Sequence, residues 1–322
     1  MLVKGQSISS IEQTLDMISQ RLIMTVLYFE LFSYPLTFDE LFRFTNFSGL
    51  SRKQMGETVD TLLARSILKK VENYYLIKKR PDWVKLRHER EARANQVRKK
   101  AFRRARLIAR FPFVRAVFFS GTFAKGIIPL GGDIDFFIVT RHERLWVART
   151  LLILFKKIFL FNSRRFFCVN YFLDENHLLI EERNLYTATE IVTLRPVYGR
   201  KMYQDFMTAN DWVTSYFPNR GVRGIKCEEV RSHYFTWLLE RILAGFFGER
   251  MEKTFYQTTL RFWKRKFDHM DLQTFSIALK SRPHVSKHHP NNFQERVLSK
   301  HNYAIEEFEK LYKVKLRWLS VA

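Results

Sequence analysis

The sequence predicts an α+β fold: a small mixed sheet with flanking helices, preceded by a module of three helices and a hairpin and followed by a helical region. Three observations lead there. Apolar positions recur at helical spacing behind capping residues in the first 70 residues, and again after residue 219. Between these stretches the runs VRAVFFSG, DIDFFIVT and RFFCVNYFLD read as buried strands, separated by a glycine-rich loop and one helical segment. Hydrophobic content of 46% over 322 residues is enough for two or three domains with a substantial core. The changes of pattern predict boundaries at 1–80, 81–218 and 219–322.

Near the N-terminus, TLDMISQRLIMTVLYFELF reads as an apolar helix that stops at Ser33-Tyr34-Pro35. Thr37 and Glu40 then form a T-x-x-E capping box that opens the helix TFDELFRFT. Ser51 and Gln54 repeat the device for SRKQMGETVDTLLARS, which sets Met55, Val59, Leu62 and Leu63 on one face. ILKKV and YYLIKK, separated by Glu72 and Asn73, read as a hairpin. This order resembles a winged helix, which implies duplex binding through the third helix. The expected outer face of that helix (Arg52, Lys53, Gln54, Glu57, Asp60) is of mixed charge, so a packing or dimerisation module fits as well. Lys69, Lys70, Lys78, Lys79 and Arg80 keep nucleic acid in view.

A net charge of +23 and a pI near 10.1 attract polyanions, making nucleic acid, nucleotides or anionic lipid the expected class of partner. Residues 85–110 carry eleven lysines and arginines without a proline or glycine, and read as one helix. That strip is either a solvated face or a track for an RNA or DNA backbone. Only Cys168 and Cys227 are present, without Cys-x-x-Cys spacing, which excludes a disulfide framework and a thiolate zinc cluster and fits a reducing cytoplasm. MLVKGQSISSIEQ lacks the apolar core of a signal peptide. LWVARTLLILFKKIFLF is broken by Arg149, Lys156 and Lys157 short of the roughly 20 apolar residues of a membrane span, so a buried helix and no transmembrane segment are expected.

The chemistry concentrates in SGTFAKGIIPLGGDIDFFIVT, where four of the twelve glycines precede two aspartates set one residue apart. Glycine is required where φ is positive or a ligand approaches the backbone. Acids at i and i+2 of a strand share a face. Ser120-Gly121-Thr122, then Asp133-Ile134-Asp135-Phe136 between apolar strands, resembles the signature of the DNA polymerase beta-like nucleotidyltransferase superfamily, and Ala124-Lys125-Gly126 resembles the Ala-Arg-Gly turn of its minimal members. The resemblance is most specific over residues 114–140. It implies a nucleotidyltransferase sheet and Asp133 and Asp135 as catalytic metal ligands. It also implies a nucleotide-binding turn made of Ser120, Gly121, Thr122, Lys125 and Gly126. An NTP is then the substrate and Mg²⁺, or Mn²⁺ in its place, the cofactor.

Elementary chemistry points the same way. Mg²⁺ takes one or two carboxylates together with phosphates and water. Phosphoryl transfer is catalysed mainly by positioning and charge stabilisation. Amides after Gly121 and the Thr122 hydroxyl suit phosphate oxygens, and Lys125 adds a positive charge.

Active members of the superfamily carry a third carboxylate on a neighbouring strand. In CVNYFLD that position is Asn170, whose amide can ligate a metal but takes no proton. Asp174, read as lying on the same face further along, is the other candidate for the third catalytic group. Three outcomes stay open: Asp174 substitutes, the acceptor needs no protein base, or the domain is a nucleotide- or nucleic-acid-binding regulatory protein without transfer. Expected acceptors are a small metabolite, an RNA end or a protein side chain. RPHVSKHHPNN reads as a polar loop between helices, in which Lys287 and His288 reach a phosphate or the acceptor. Glu190 is a weak candidate on the acceptor side, within a segment read mainly as packing. No dinucleotide fingerprint, P-loop lysine motif or hydrolase elbow is present.

Overall fold

The structure is a computed structural model that describes residues 15–78, 80–161, 167–221, 227–230, 233–290 and 292–317. Thr14 of the predicted N-terminal helix, Lys79, Arg165 and Phe166 of the predicted third strand, and Asn291 lie outside the described residues. The fold is mixed α+β, and no described helix is long and apolar enough to cross a membrane.

The chain forms two compact units. The first comprises residues 1–84, 217–220 and 297–322, and the second residues 85–216 and 221–296, so the segment after residue 219 is shared between them. In the first unit, α1 (Met17–Glu30) is capped by Asp16, whose carboxylate accepts the Ser19 N–H at 2.6 Å. Both capping boxes form: Thr37 opens α2 (Phe38–Phe44) and Ser51 opens α3 (Arg52–Ala64), each exchanging bonds with the residue three positions on. Met55, Val59 and Leu62 are buried, and Arg52, Lys53, Gln54, Glu57 and Asp60 are exposed, as helical spacing dictates. The hairpin forms from β2 (Lys69–Val71) and β3 (Tyr74–Leu76). A two-residue strand, β1 (Leu36–Thr37), adds to its other side and gives the order β1-β3-β2.

The basic helix, α4 (Pro81–Ala109), belongs to the second unit from Lys85 onward. Ala94, Ala101, Ala105 and Ile108 form a narrow inward stripe of small residues, and the exposed face carries Arg98, Lys99, Lys100, Arg103 and Arg106. Next come β4 (Val114–Ser120), the single turn α5 (Gly121–Ala124), β5 (Asp135–Thr140), α6 (Leu145–Phe159), β6 (Cys168–Asp174), α7 (Leu185–Thr193), β7 (Arg195–Tyr198) and α8 (Arg200–Ala209). Helices α9 (Tyr234–Ile242), α10 (Phe246–Lys266) and α11 (Leu272–Ala278) precede a hairpin of β8 (Ser281–Arg282) and β9 (Val285–Lys287). The six strands run in the order β7-β4-β5-β6-β9-β8. Only β5 and β6, joined through α6, are parallel.

One sheet face carries Val117, Phe119, Phe136, Ile138 and Phe172, packed with the alanine stripe of α4. The other carries a cross-strand aromatic row: Phe118 stacks on Phe137 at 5.8 Å, Phe137 on Tyr171 at 4.8 Å, and Phe206 of α8 covers Phe137 at 5.3 Å. Much of the phenylalanine excess is therefore sheet packing, as expected for a pleated surface.

Three elements depart from the sequence expectation. Strand β7 is an edge strand containing Pro196, a residue that signals against a strand and is tolerated where one side needs no ladder bond. The segment read as a polar loop at 282–292 instead contributes β8 and β9, and β9 pairs with β6. Strand β6 is irregular: Val169 pairs with Phe136 and Tyr171 with Phe137, which leaves Asn170 as the extra residue of a bulge.

The N-terminus of α6 draws its cap from a distant helix. Arg144, at the cap position, makes no side-chain capping bond, and the buried Glu252 carboxylate of α10 accepts the N–H groups of Trp146 at 2.7 Å and Val147 at 2.8 Å. Burial pushes this carboxyl above its usual value, while the two amides act to lower it. Glu252→Ala strands both donors in the core and is expected to cost about 2 kcal/mol of stability, read by urea denaturation. Glu252→Gln keeps an acceptor and is expected to cost less.

Candidate active site

Strand β4 ends at Ser120, which pairs directly with Asp135, the first residue of β5. That register brings the glycine turn onto the acid pair. Gly121 has φ +61°, and a Cβ there would stand 2.6 Å from Asp135 Oδ2. Only a residue without a side chain lets this carboxylate lie against the bend. Asp133 and Asp135 are half-buried on either side of the fully buried Ile134, and carboxylate oxygens of both lie within 4.8 Å of each other and of Cys168 Sγ.

The register of β6 decides what faces the pair from the adjoining strand. Cys168 is opposite Asp135, and Asn170 Nδ2 donates to Asp135 Oδ1 at 3.0 Å. A thiol and an amide thus stand where the resemblance implies a carboxylate. Burial, reinforced by the charge of Asp133, pushes Asp135 up to about 7, while the Cys168 thiol and Lys125 act to lower it. Burial and both aspartates push Cys168 far above the usual thiol range, so it is a neutral donor there. Two acids competing for ionisation in one cleft bind a cation readily, because the ion removes the repulsion between them.

Lys125 lies one turn beyond Gly121, bonding the Gly121 carbonyl at 3.3 Å and Glu190 Oε1 of α7 at 2.8 Å. Glu190 is thereby the third carboxylate near the pair, and its charge adds to the upward push on Asp135. The sequence places Glu190 on the acceptor side, because nothing local ties residue 190 to residue 125. Ser120 precedes the turn as the last residue of β4, and Thr122 lies within α5. Gly126, at φ +85°, closes the turn with its N–H on the Phe123 carbonyl at 3.0 Å.

Asp174 does not belong to this group. After the bulge it pairs with Thr140, two positions on from Phe172 and hence on the face of Phe136 and Ile138, whereas Asp135 shares its face with Phe137. Its carboxylate instead accepts from Asn176 N at 2.8 Å and meets His142 Nδ1 at 3.0 Å and His177 Nδ1 at 2.8 Å. Burial acts to raise its pKa, and these bonds outweigh that and hold it below the usual value. The expected placement of Asp174 on the face of Asn170 is therefore corrected by one inserted residue, which removes the first of the three open outcomes.

The β9 hairpin places Lys287 opposite Tyr171, next along the strand from Asn170, and the His288 N–H donates to the Asn170 carbonyl at 2.9 Å. Burial pushes the Lys287 ammonium below its usual value and His289 down to about 4. The His288 ring packs 4.9 Å from Trp263, which makes it a wall residue.

No protein-family model, curated protein or solved structure matches this chain.

Proposed function

We propose that the chain is a Mg²⁺-dependent nucleotidyltransferase that moves a nucleoside monophosphate from an NTP to a hydroxyl acceptor. The observation that carries this reading is the space at Gly121 that the Asp135 carboxylate occupies, where a Cβ would stand 2.6 Å from Oδ2, which sets an acid suited to a cation against a glycine turn suited to a phosphate chain. The resemblance of residues 114–140 to the polymerase beta-like superfamily supports it. The donor chemistry fits: Asp133 and Asp135 supply the oxygen ligands Mg²⁺ prefers, while the neutral Cys168 thiol is a poor ligand for a hard ion. When bound, the ion supplies charge compensation to phosphate oxygens.

The residues divide the remaining work. The Thr122 hydroxyl and first-turn amides of α5 orient the triphosphate. Lys125 exchanges Glu190 for a phosphate oxygen, which frees the Glu190 carboxylate. The acceptor oxygen bonds to the α-phosphorus as the bond from that phosphorus to the α,β-bridging oxygen breaks. Pyrophosphate leaves with the electron pair, and the acceptor proton passes to Glu190. RNA is the acceptor class favoured by the exposed basic face of α4.

A second reading rests on the Asn170–Asp135 bond, which fills the third acidic position with an amide and favours nucleotide binding without transfer. Purified protein, labelled NTPs, Mg²⁺ or Mn²⁺, and pooled tRNA or cell metabolites separate the two. Transfer is expected to vanish in Asp133→Asn and to fall by about 100-fold in Glu190→Gln, with NTP-dependent stabilisation retained in the latter. Stabilisation without any transfer establishes the binder, and absence of both overturns both readings. RNA binding that weakens steeply with salt identifies the polyanion.

A further inference from the structure

The opposite end of the β5–β6 ladder holds a second constellation. Because these strands are parallel and Thr140 is in register with Asp174, the loops leaving their C-terminal ends start side by side. His142 lies two residues beyond β5, and His177 three beyond Asp174. The Asp174 side chain is only 3% exposed, and both of its oxygens meet imidazole Nδ1 atoms, one from each loop. The two histidine side chains are 41% and 46% exposed, so the carboxylate is the buried floor and the rings form the rim.

We propose that His142, Asp174 and His177 bind a borderline first-row divalent cation, with zinc as its representative, at a site separate from the aspartate pair beside Gly121. The donor set is two imidazoles and a carboxylate, which suits zinc-class ions, whereas Mg²⁺ favours oxygen donors alone. One ligand atom from each of the three residues lies within 4.8 Å of the others. Donors around a tetrahedral ion with bonds of about 2.0–2.1 Å stand roughly 3.3 Å apart. The present separations are 2.8 Å from His177 to Oδ1 and 3.0 Å from His142 to Oδ2, so the two exposed rings must swing together to converge on one ion.

The surroundings are preorganised for those ligands. The Asn176 N–H holds Asp174 Oδ1 at 2.8 Å, the Glu175 N–H bonds the Thr140 carbonyl at 2.9 Å, and Glu175 Oε1 accepts the His142 N–H at 3.2 Å. His284, in the β8–β9 turn, stacks on the His177 ring at 4.3 Å with planes 19° apart. These contacts hold the carboxylate, the two loop backbones and the plane of the His177 ring. A cavity of 410 Å³ lined by Glu175, Asn176, His177, Lys280 and His284 adjoins the rim, giving water or a small anion access to a remaining coordination position. Five residues of strand separate Asp135 from Thr140, about 17 Å by strand rise, too far for this ion to share phosphates with the first site.

The test uses chelator-stripped full-length protein, zinc titration in excess Mg²⁺, and elemental analysis after dialysis. One zinc per chain is expected, unchanged in Asp133→Asn and weakened about 10- to 100-fold in His142→Gln and in His177→Gln. Wild-type protein that retains no zinc overturns the proposal, as does zinc that disappears in Asp133→Asn or persists undiminished in the double histidine variant. Zinc X-ray absorption of the wild-type protein tests the same claim without any variant: two imidazole scatterers support it, and an oxygen-only or sulfur-containing shell sinks it.

Discussion

Asp135→Asn is expected to lower nucleotidyl transfer by about a thousandfold, roughly 4 kcal/mol of transition-state stabilisation, and yet to make the metal-free protein more stable at pH 8. The first effect follows from removing one of the two charged oxygen donors while keeping the size of the side chain and its place against Gly121. The second follows from linkage. Asp135 titrates at about 7 in the folded protein against 3.8 in its reference state, so folding favours the protonated form. That contribution is fully present below the unfolded value near 4, declines as pH rises, and is gone above about 7. The asparagine variant has no such titration. Its melting temperature relative to wild type is expected to climb across that window and to level off above pH 7, gaining up to about 10 °C, or at most roughly 4 kcal/mol. Saturating Mg²⁺ is expected to close the gap by neutralising the wild-type pair. A relative melting temperature that stays flat from pH 4 to pH 8 would show that Asp135 is not strained by its charge.

Gly121→Ala is expected to reduce NTP-dependent transfer by at least about 100-fold with only about 1 kcal/mol of lost stability. The backbone at φ +61° costs alanine the modest left-handed penalty. The larger consequence is steric: the new methyl would stand 2.6 Å from Asp135 Oδ2. A carboxylate can rotate away, unlike backbone, so the fold survives while the metal ligand is displaced. Gly199→Ala is a useful contrast, because its Cβ would meet the Arg115 carbonyl at 2.5 Å and the Ala116 Cα at 2.9 Å, and backbone does not yield so cheaply. Kinetics and denaturation measured on both variants therefore separate a site glycine from a folding glycine. Equal losses of stability would remove the distinction.

Where local chemistry determines structure, the sequence could be read closely. The capping boxes at Thr37 and Ser51, the stripe of α3, and the strand–turn–strand that joins Gly121 to Asp135 depend on neighbours within a few residues or on unbroken apolar alternation. Strands of two to four residues were not legible, since Arg195–Tyr198 contains proline and Val285–Lys287 is too short to show a period. The site was half legible for the same reason. Asp133 and Asp135 announce themselves by spacing, whereas Glu190 meets Lys125 only through tertiary packing of α7. Asp174 was misplaced because a strict two-residue period carries no sign of a bulge, and one extra residue reverses every face beyond it.

That single insertion at Asn170 lets one strand answer to two masters. Upstream of it, β6 turns its polar atoms toward the acid pair at the head of β5; downstream, it delivers a carboxylate to the histidines at the tail. Remove the extra residue and the Val169–Phe136 and Tyr171–Phe137 pairs become consecutive, so the ladder turns regular with Asp174 still opposite Thr140, while Asp135 loses its amide partner. The two ends of this ladder can consequently be altered one at a time, a deletion of residue 170 reaching the head and sparing the tail.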